Sequence, residues 1–278
     1  MNPEIVTVSL RRAKLAGADT FHWQAETTDA VAAEAPLTLR VEGRAVAVIM
    51  RTPGHDRELA AGFLLTEGVI RSQAEVFEIS VCPSVRDCGD SVDVLLTNAA
   101  SWDPDKLTRH VFTSSSCGIC SRTSLTTAIA ADQVLIPEAG PLLTVAELTQ
   151  LPEQLRVAQP AFAATGGLHG CAWWDSGTRH IVTGLVFEDV GRHNALDKLL
   201  GSALLADRLP LARGVLILSG RISFELVQKA HAARIPVIAA VGAPSSLAIS
   251  YAEAAGITLC GFVRSDRMNV YTHPSRIQ

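Results

Sequence analysis

The sequence predicts an α/β protein: a C-terminal three-layer unit of sheet and helices, preceded by a smaller α+β part. From residue 179 onward, aliphatic and β-branched segments alternate with segments of helical periodicity, the pattern of repeated βαβ units. The strand segments are short and apolar throughout, as in 215–218 (VLIL) and 237–241 (VIAAV), which suits strands covered by helices on both faces. Residues 36–97 read instead as hairpin, helix and two further strands.

Residues 1–35 lack sustained periodicity and end in an alanine-rich run, so they are expected to form an N-terminal extension. Residues 36–50 alternate apolar and polar positions around Glu42-Gly43, which predicts a hairpin. Asp56 is expected to cap a helix with Leu59, Phe63 and Leu64 on one face, closed by Gly68. Strands over 76–81 and 92–97, joined by a loop at 83–90, complete an N-terminal α+β domain assigned to 36–112. Residues 113–160 hold a serine-rich loop with two cysteines, a helix over 121–131 and a connector with a helix near 145–151. The domain boundary is placed in that connector. The α/β domain, 161–278, alternates strands over 180–187, 214–218, 237–241 and 257–262 with helices over 194–205, 224–233 and 245–255.

Hydrophobic residues make up 48% of the 278 and mean hydropathy is +0.24. The most apolar stretch, 237–257, is broken by Pro244, Ser245, Ser246, Ser250, Tyr251 and Glu253 and is too polar to span a bilayer. The first fifteen residues carry charges but no continuous apolar run, so no secretory signal and a cytoplasmic location are expected. A net charge of −4 and a pI near 6.1 argue against general nucleic-acid binding, which needs a basic face. Six cysteines (82, 88, 117, 120, 171, 260) in such a chain suit burial, metal binding or catalysis better than a disulfide framework.

The chemistry centres on Ser114-Ser115-Ser116-Cys117-Gly118-Ile119-Cys120-Ser121-Arg122. Two thiols separated by two residues can share a metal ion, close a disulfide, or let one attack a sulfur carried by the other. The small polar residues before Cys117 favour a mobile loop, and the predicted helix after Cys120 puts the pair at a helix N-terminus. There the free N–H groups and Arg122 favour thiolate. Cys82 and Cys88 have five residues between them, less tidy than zinc-ribbon spacing, and Cys82, Cys88, Cys171 and Cys260 read as packing residues.

In the C-terminal domain, Arg192 and His193 open one predicted helix and Ser219 to Ser223 lead into the next. Cytidine-type zinc deaminases present metal ligands from such positions, but His-x-Glu and Pro-Cys-x-x-Cys are replaced here by His193-Asn194-Ala195 and Ser219-Gly220-Arg221-Ile222-Ser223. Zinc deamination is therefore disfavoured. What remains is Arg192, His193, Ser219 and Arg221 at helix starts, fit for an anionic or nucleotide ligand or for simple capping. Gly166-Gly167-Leu168-His169-Gly170 lacks phosphate-loop spacing and reads as a tight turn. Phe262, Val263, Arg264, Ser265, Asp266 and Arg267 leave the last of these strands; two guanidinium groups and an aromatic ring suit a phosphorylated, ring-bearing cofactor.

Taken together, Arg51-Thr52-Pro53, the 58–64 run ELAAGFL with Glu67-Gly68, Ser116–Cys120, Thr165–His169, the 188–195 run EDVGRHNA with Asp197-Lys198, Ser219-Gly220-Arg221 and Gly261–Arg264 resemble the FdhD family of formate dehydrogenase accessory sulfurtransferases. The resemblance covers most of the chain after residue 36. It implies a sulfur carrier that accepts sulfur from a cysteine desulfurase and passes it to the molybdenum cofactor before insertion into formate dehydrogenase. It also implies a cytidine-deaminase-like C-terminal domain without the zinc site, a homodimer and no permanently bound metal. The family's persulfide cysteine maps onto Cys117, with Cys120 as second thiol. Its stretch for molybdenum bis(molybdopterin guanine dinucleotide) maps onto Phe262 to Arg267, and a guanine-nucleotide site also fits Arg192, His193 and Arg221. Relatives often carry Gly-Lys where this chain has Ser121-Arg122, so charge is kept and glycine's backbone freedom lost. A different class is left open: a non-enzymatic guanine-dinucleotide chaperone whose two cysteines sense redox state or clip zinc.

Overall fold

The computed structural model describes residues 3–16, 20–82, 90–103, 135–137 and 142–278. The chain starts with an antiparallel hairpin, β1 (Ile5–Leu15) and β2 (Phe21–Ala32). No element was expected there, and the reason is physical: most residues on both faces are exposed, including Phe21 and Trp23 at 65% each, so no buried face imposes alternation on the sequence. Next come β3 (Ala35–Val41), β4 (Arg44–Arg51), α1 (Asp56–Thr66), β5 (Val76–Cys82) and β6 (Asp90–Leu96). They form a four-stranded sheet of order β4-β3-β6-β5 with β3 and β6 parallel. The hairpin around Glu42-Gly43 is as expected, with both turn residues at positive φ, and Gly68 at φ 75 closes α1. Asp56 does not cap that helix. His55 holds the N-cap position, and both Asp56 oxygens accept from the fully buried Arg51 guanidinium, at 2.9 Å from Nε and 3.0 Å from NH2.

The rest of the described chain is α2 (Val145–Val157), α3 (Pro160–Thr165), β7 (His169–Asp175), β8 (His180–Asp189), α4 (Arg192–Leu205), β9 (Gly214–Leu218), α5 (Phe224–Ala232), β10 (Val237–Ala240), α6 (Ser246–Ala255), β11 (Thr258–Gly261) and β12 (Asn269–Thr272). The six-stranded sheet runs β12-β11-β10-β9-β7-β8. β9, β10 and β11 are parallel, and β7 is inserted antiparallel between β9 and β8. The glycine-rich 166–170 stretch is thus not a tight turn: Gly166, at φ 67, caps α3, and His169 already begins β7.

Both sheet faces are buried, which explains the unbroken apolar strands. Leu216, Leu218, Ile238 and Ala240 belong to one cluster with α4, α5 and α6, while Val215, Ile217, Val237 and Ala239 join a second with Leu148, Leu151 and Leu155 of α2. The first cluster continues into the four-stranded sheet through Leu37, Leu39, Val92 and Val94. Helices α1 and α4 cross between the sheets at two glycines. A Cβ on Gly62 would lie 1.8 Å from the Asp197 carbonyl oxygen, and one on Gly201 1.8 Å from that of Glu58; only glycine permits so close a backbone approach.

Candidate anion site at the strand ends

The exits of β8, β9, β10 and β11 and the start of β7 lie along one edge of the six-stranded sheet, where ligands of open α/β sheets usually bind. Backbone bonds continue the ladder past the strands. Gly170 N donates to Ser219 Oγ at 2.9 Å, Ser219 N to Gly170 O at 3.0 Å, Gly242 N to Gly220 O at 3.0 Å and Phe262 N to Gly242 O at 3.2 Å. Gly242 must be glycine there, because a Cβ would meet Gly220 O at 2.6 Å and the Arg221 Cα at 2.7 Å. This lacing brings His169, Gly220-Arg221, Gly242 and Phe262 side by side.

Arg192 and His193 form the first turn of α4 behind Gly191 at the N-cap. The Arg192 Nε is buried with no hydrogen-bond partner among the described residues. His193 Nε2 lies 3.1 Å from Ser223 Oγ, the N-cap residue of α5, and 3.9 Å from Glu225 Oε2. The two helix starts singled out in the sequence therefore meet. Burial, then Arg192 and Lys229, push the His193 imidazole down to about 4, so at neutral pH it is an uncharged hydrogen-bond partner. Arg221 is exposed.

The 262–267 stretch sits on the same edge. The Phe262 ring is 42% exposed on a backbone at φ 52. The Val263 side chain is fully buried in the second cluster, which leaves only its backbone to the edge. Arg264 NH1 donates to Val241 O and Val263 O, both at 2.8 Å, tying the β10 and β11 exits together. Ser265, Asp266 and Arg267 are exposed, with Arg267 NH1 3.5 Å from Asp266 Oδ2. Cys117, Cys120 and the helix expected over 121–131 lie outside the described residues. Cys171 and Cys260 are buried, and burial drives their thiols up, Cys260 to about 12; both pack as inert apolar groups. Among the described residues, no three His, Cys, Asp or Glu side chains cluster to hold a metal ion, and no helix is long and apolar enough to cross a membrane.

A second set of residues, not singled out as site residues from the sequence, fastens this edge to the four-stranded sheet. Asp189 and Lys198 form a fully buried ion pair at 2.8 Å. Asp189 also accepts from Thr52 N at 3.0 Å, Gly191 N at 2.8 Å and Asn194 Nδ2 at 2.9 Å, while Lys198 Nζ donates to Thr52 O at 2.9 Å. Thr52 Oγ1 accepts from Val190 N at 3.1 Å, and Asn194 Nδ2 donates to Met50 O at 2.8 Å. The loop from which Arg192 springs is thus held on both sides by the Met50–Thr52 segment. Further along α4, the buried Asp197 pairs with Lys229 of α5 at 2.9 Å and accepts from Thr66 of α1 at 3.1 Å.

The profile of the FdhD/NarQ family matches residues 32–278. The chain is 50% identical over 249 residues to the sulfur carrier protein FdhD of Mycolicibacterium paratuberculosis, covering 88% of this chain and 90% of that one. It is 45% identical over 281 residues to the protein of the same name from Mycobacterium tuberculosis, covering 96% and 97%. A crystal structure from Desulfotalea psychrophila, described as a formate dehydrogenase accessory protein, superposes with a TM-score of 0.76 at 28% identity, over 99% of this chain and 100% of that one.

Proposed function

Because the chain belongs to the FdhD/NarQ family, we propose that it is a sulfur carrier serving formate dehydrogenase, with Cys117 as the carrier thiol. The observation that carries this reading is the pairing of the family match with Arg192 and Arg221 at the strand ends, whose side chains have no carboxylate partner among the described residues and so suit an anionic cargo. The Cys117 thiolate attacks the outer sulfur of a cysteine desulfurase persulfide. The donor S–S bond breaks, the desulfurase cysteine leaves as thiolate, and the sulfur remains on Cys117 as a persulfide. Attack by Cys120 on the Cys117 sulfur releases the carried atom as hydrosulfide to the cargo and leaves a Cys117–Cys120 disulfide, which a thiol reductant resets.

The cargo in this reading is molybdenum bis(molybdopterin guanine dinucleotide). Arg192, whose buried Nε has no partner among the described residues, and Arg221 are read as meeting its phosphates, since guanidinium groups suit phosphate oxygens. Phe262 and the 264–267 loop are read as flanking the ring-bearing part, and His193 as a neutral support for the α4 and α5 starts. We read the C-terminal part as a cytidine-deaminase-like scaffold that uses its helix starts for an anion rather than for zinc, in a cytoplasmic homodimer.

Complementation tests this. Cys117→Ala is expected to bind GDP like the wild type and to leave formate dehydrogenase inactive in cells lacking this chain. Full activation by that variant would overturn the carrier role in favour of a nucleotide-binding chaperone.

A further inference from the structure

His169 lies on the same edge, between the Asp189 and Gly220 exits. The sheet register sets it opposite Asp189 at the end of β8, and the Gly170–Ser219 exchange sets it beside Gly220 on its other flank. A Cβ at Gly220 would come within 3.2 Å of His169 Nδ1, so the ring rests against a bare stretch of backbone. One residue past Gly220 is Arg221, and three past Asp189 is Arg192. Burial, the largest effect, and then the Arg192 and Arg221 guanidinium groups shift His169 toward its neutral form, against a weaker pull from Asp189.

The surrounding groups cannot supply the missing negative charge. The Asp189 carboxylate is committed to Lys198, Thr52, Gly191 and Asn194. Glu188, next to it on β8, accepts from Ala161 N and Phe162 N at the start of α3. On α4, His193 is turned to Ser223 and to Glu225 of α5, whose carboxylate lies 3.9 Å from its Nε2, while Lys229 of α5 is paired with Asp197; past β9 the Ser219 hydroxyl accepts from Gly170. Among the described residues, neither the His169 ring nor the side chains of Arg192 and Arg221 have a hydrogen-bond or carboxylate partner. A dianion entering between two arginines would reverse the field at the ring and favour its charged form.

We propose that His169 is the third ligand of this site: when a phosphate-class anion binds to Arg192 and Arg221, the His169 ring takes a proton from solvent and donates the new N–H to the anion. The proposal rests on the anion reading above and adds to it a residue and a proton count. It follows that affinity for a ligand of fixed charge rises as pH falls, by up to about tenfold per pH unit while the free ring is neutral and the bound ring charged.

Sulfate is the suitable probe, because it stays a dianion across the range in which histidine titrates. Calorimetry of the full chain with sulfate, in buffers of differing ionisation enthalpy near about pH 7, is expected to show uptake approaching one proton per sulfate bound. His169→Gln is expected to bind within about threefold of wild type near about pH 8, where little of the ring is charged, and to lose the rise toward about pH 6. The proton count on the unaltered chain needs no variant to fold. Sulfate binding that Arg221→Met weakens, but that either takes up no proton in the wild type or keeps its pH slope in His169→Gln, would overturn the role of His169 alone. A wild-type chain that binds neither sulfate nor GDP would overturn the anion reading itself, and this proposal with it.

Discussion

Replacing Lys198 by methionine tests how the site edge is held. The Lys198 and Asp189 side chains are both 0% exposed and 2.8 Å apart, and the ammonium also donates to Thr52 O at 2.9 Å and Glu188 O at 3.4 Å. Methionine fills a similar volume, so the cavity cost is small and the loss comes from Asp189, left buried with only neutral donors. Breaking one side of a buried ion pair costs about 3–5 kcal/mol. The three remaining hydrogen bonds to Asp189 place this case at the lower end. For a chain of this size about 3 kcal/mol lowers Tm by roughly 6–12 °C, measurable by thermal denaturation followed by circular dichroism. Arg156→Met, which breaks the exposed Arg156–Glu153 pair, is the control and should leave Tm essentially unchanged. Because Asp189 also binds Gly191 N at the head of α4, the Lys198 variant should lose GDP affinity under conditions where it is still folded. A Tm drop below about 2 °C with unchanged GDP binding would refute the idea that this pair holds the Arg192 loop.

Gly201→Ala forces a methyl group to 1.8 Å from the Glu58 carbonyl, so α1 and α4 must separate. A cost of at least about 1–3 kcal/mol is expected, read as a lower urea midpoint, whereas Gly177→Ala in an exposed turn should be far milder. Acid should destabilise the fold through His193. Its folded value is pushed to about 4 against an unfolded value near ~6.5, so the unfolded chain protonates first on acidification. The stabilisation is complete above the unfolded value, fades through that window and is gone below the folded value. The full effect is on the order of 3 kcal/mol, and His193→Gln should flatten the decline; an equally steep decline in that variant would contradict the assignment.

The parts of the fold legible in the sequence were those set by local pattern. The runs at 215–218 and 237–241 read as doubly buried strands because residues on both faces are apolar, and Glu42-Gly43 read as a turn, where the backbone takes positive φ at both residues. The hairpin β1–β2 was not legible, since neither of its faces is fully covered. β7 was missed because it begins inside a glycine-rich stretch that equally suits a turn, and its place between β8 and β9 is a long-range pairing. The site divides in the same way. Arg192, His193 and Arg221 were picked out by their positions at helix starts and strand exits, and the structure brings them to one edge. His169, and the Thr52–Asp189–Lys198 fastening, depend on contacts between segments as much as 146 residues apart. The histidine in Gly167-Leu168-His169-Gly170 was the available signal, since an ordinary turn does not require that residue.

The central claim is that Cys117 carries sulfur. Its most direct test is intact-protein mass spectrometry after incubation with a cysteine desulfurase and cysteine, followed by peptide mapping of residues 113–122. The account predicts a gain of one sulfur atom on Cys117 that a thiol reductant removes. An unmodified chain, while the desulfurase demonstrably turns over, would contradict it.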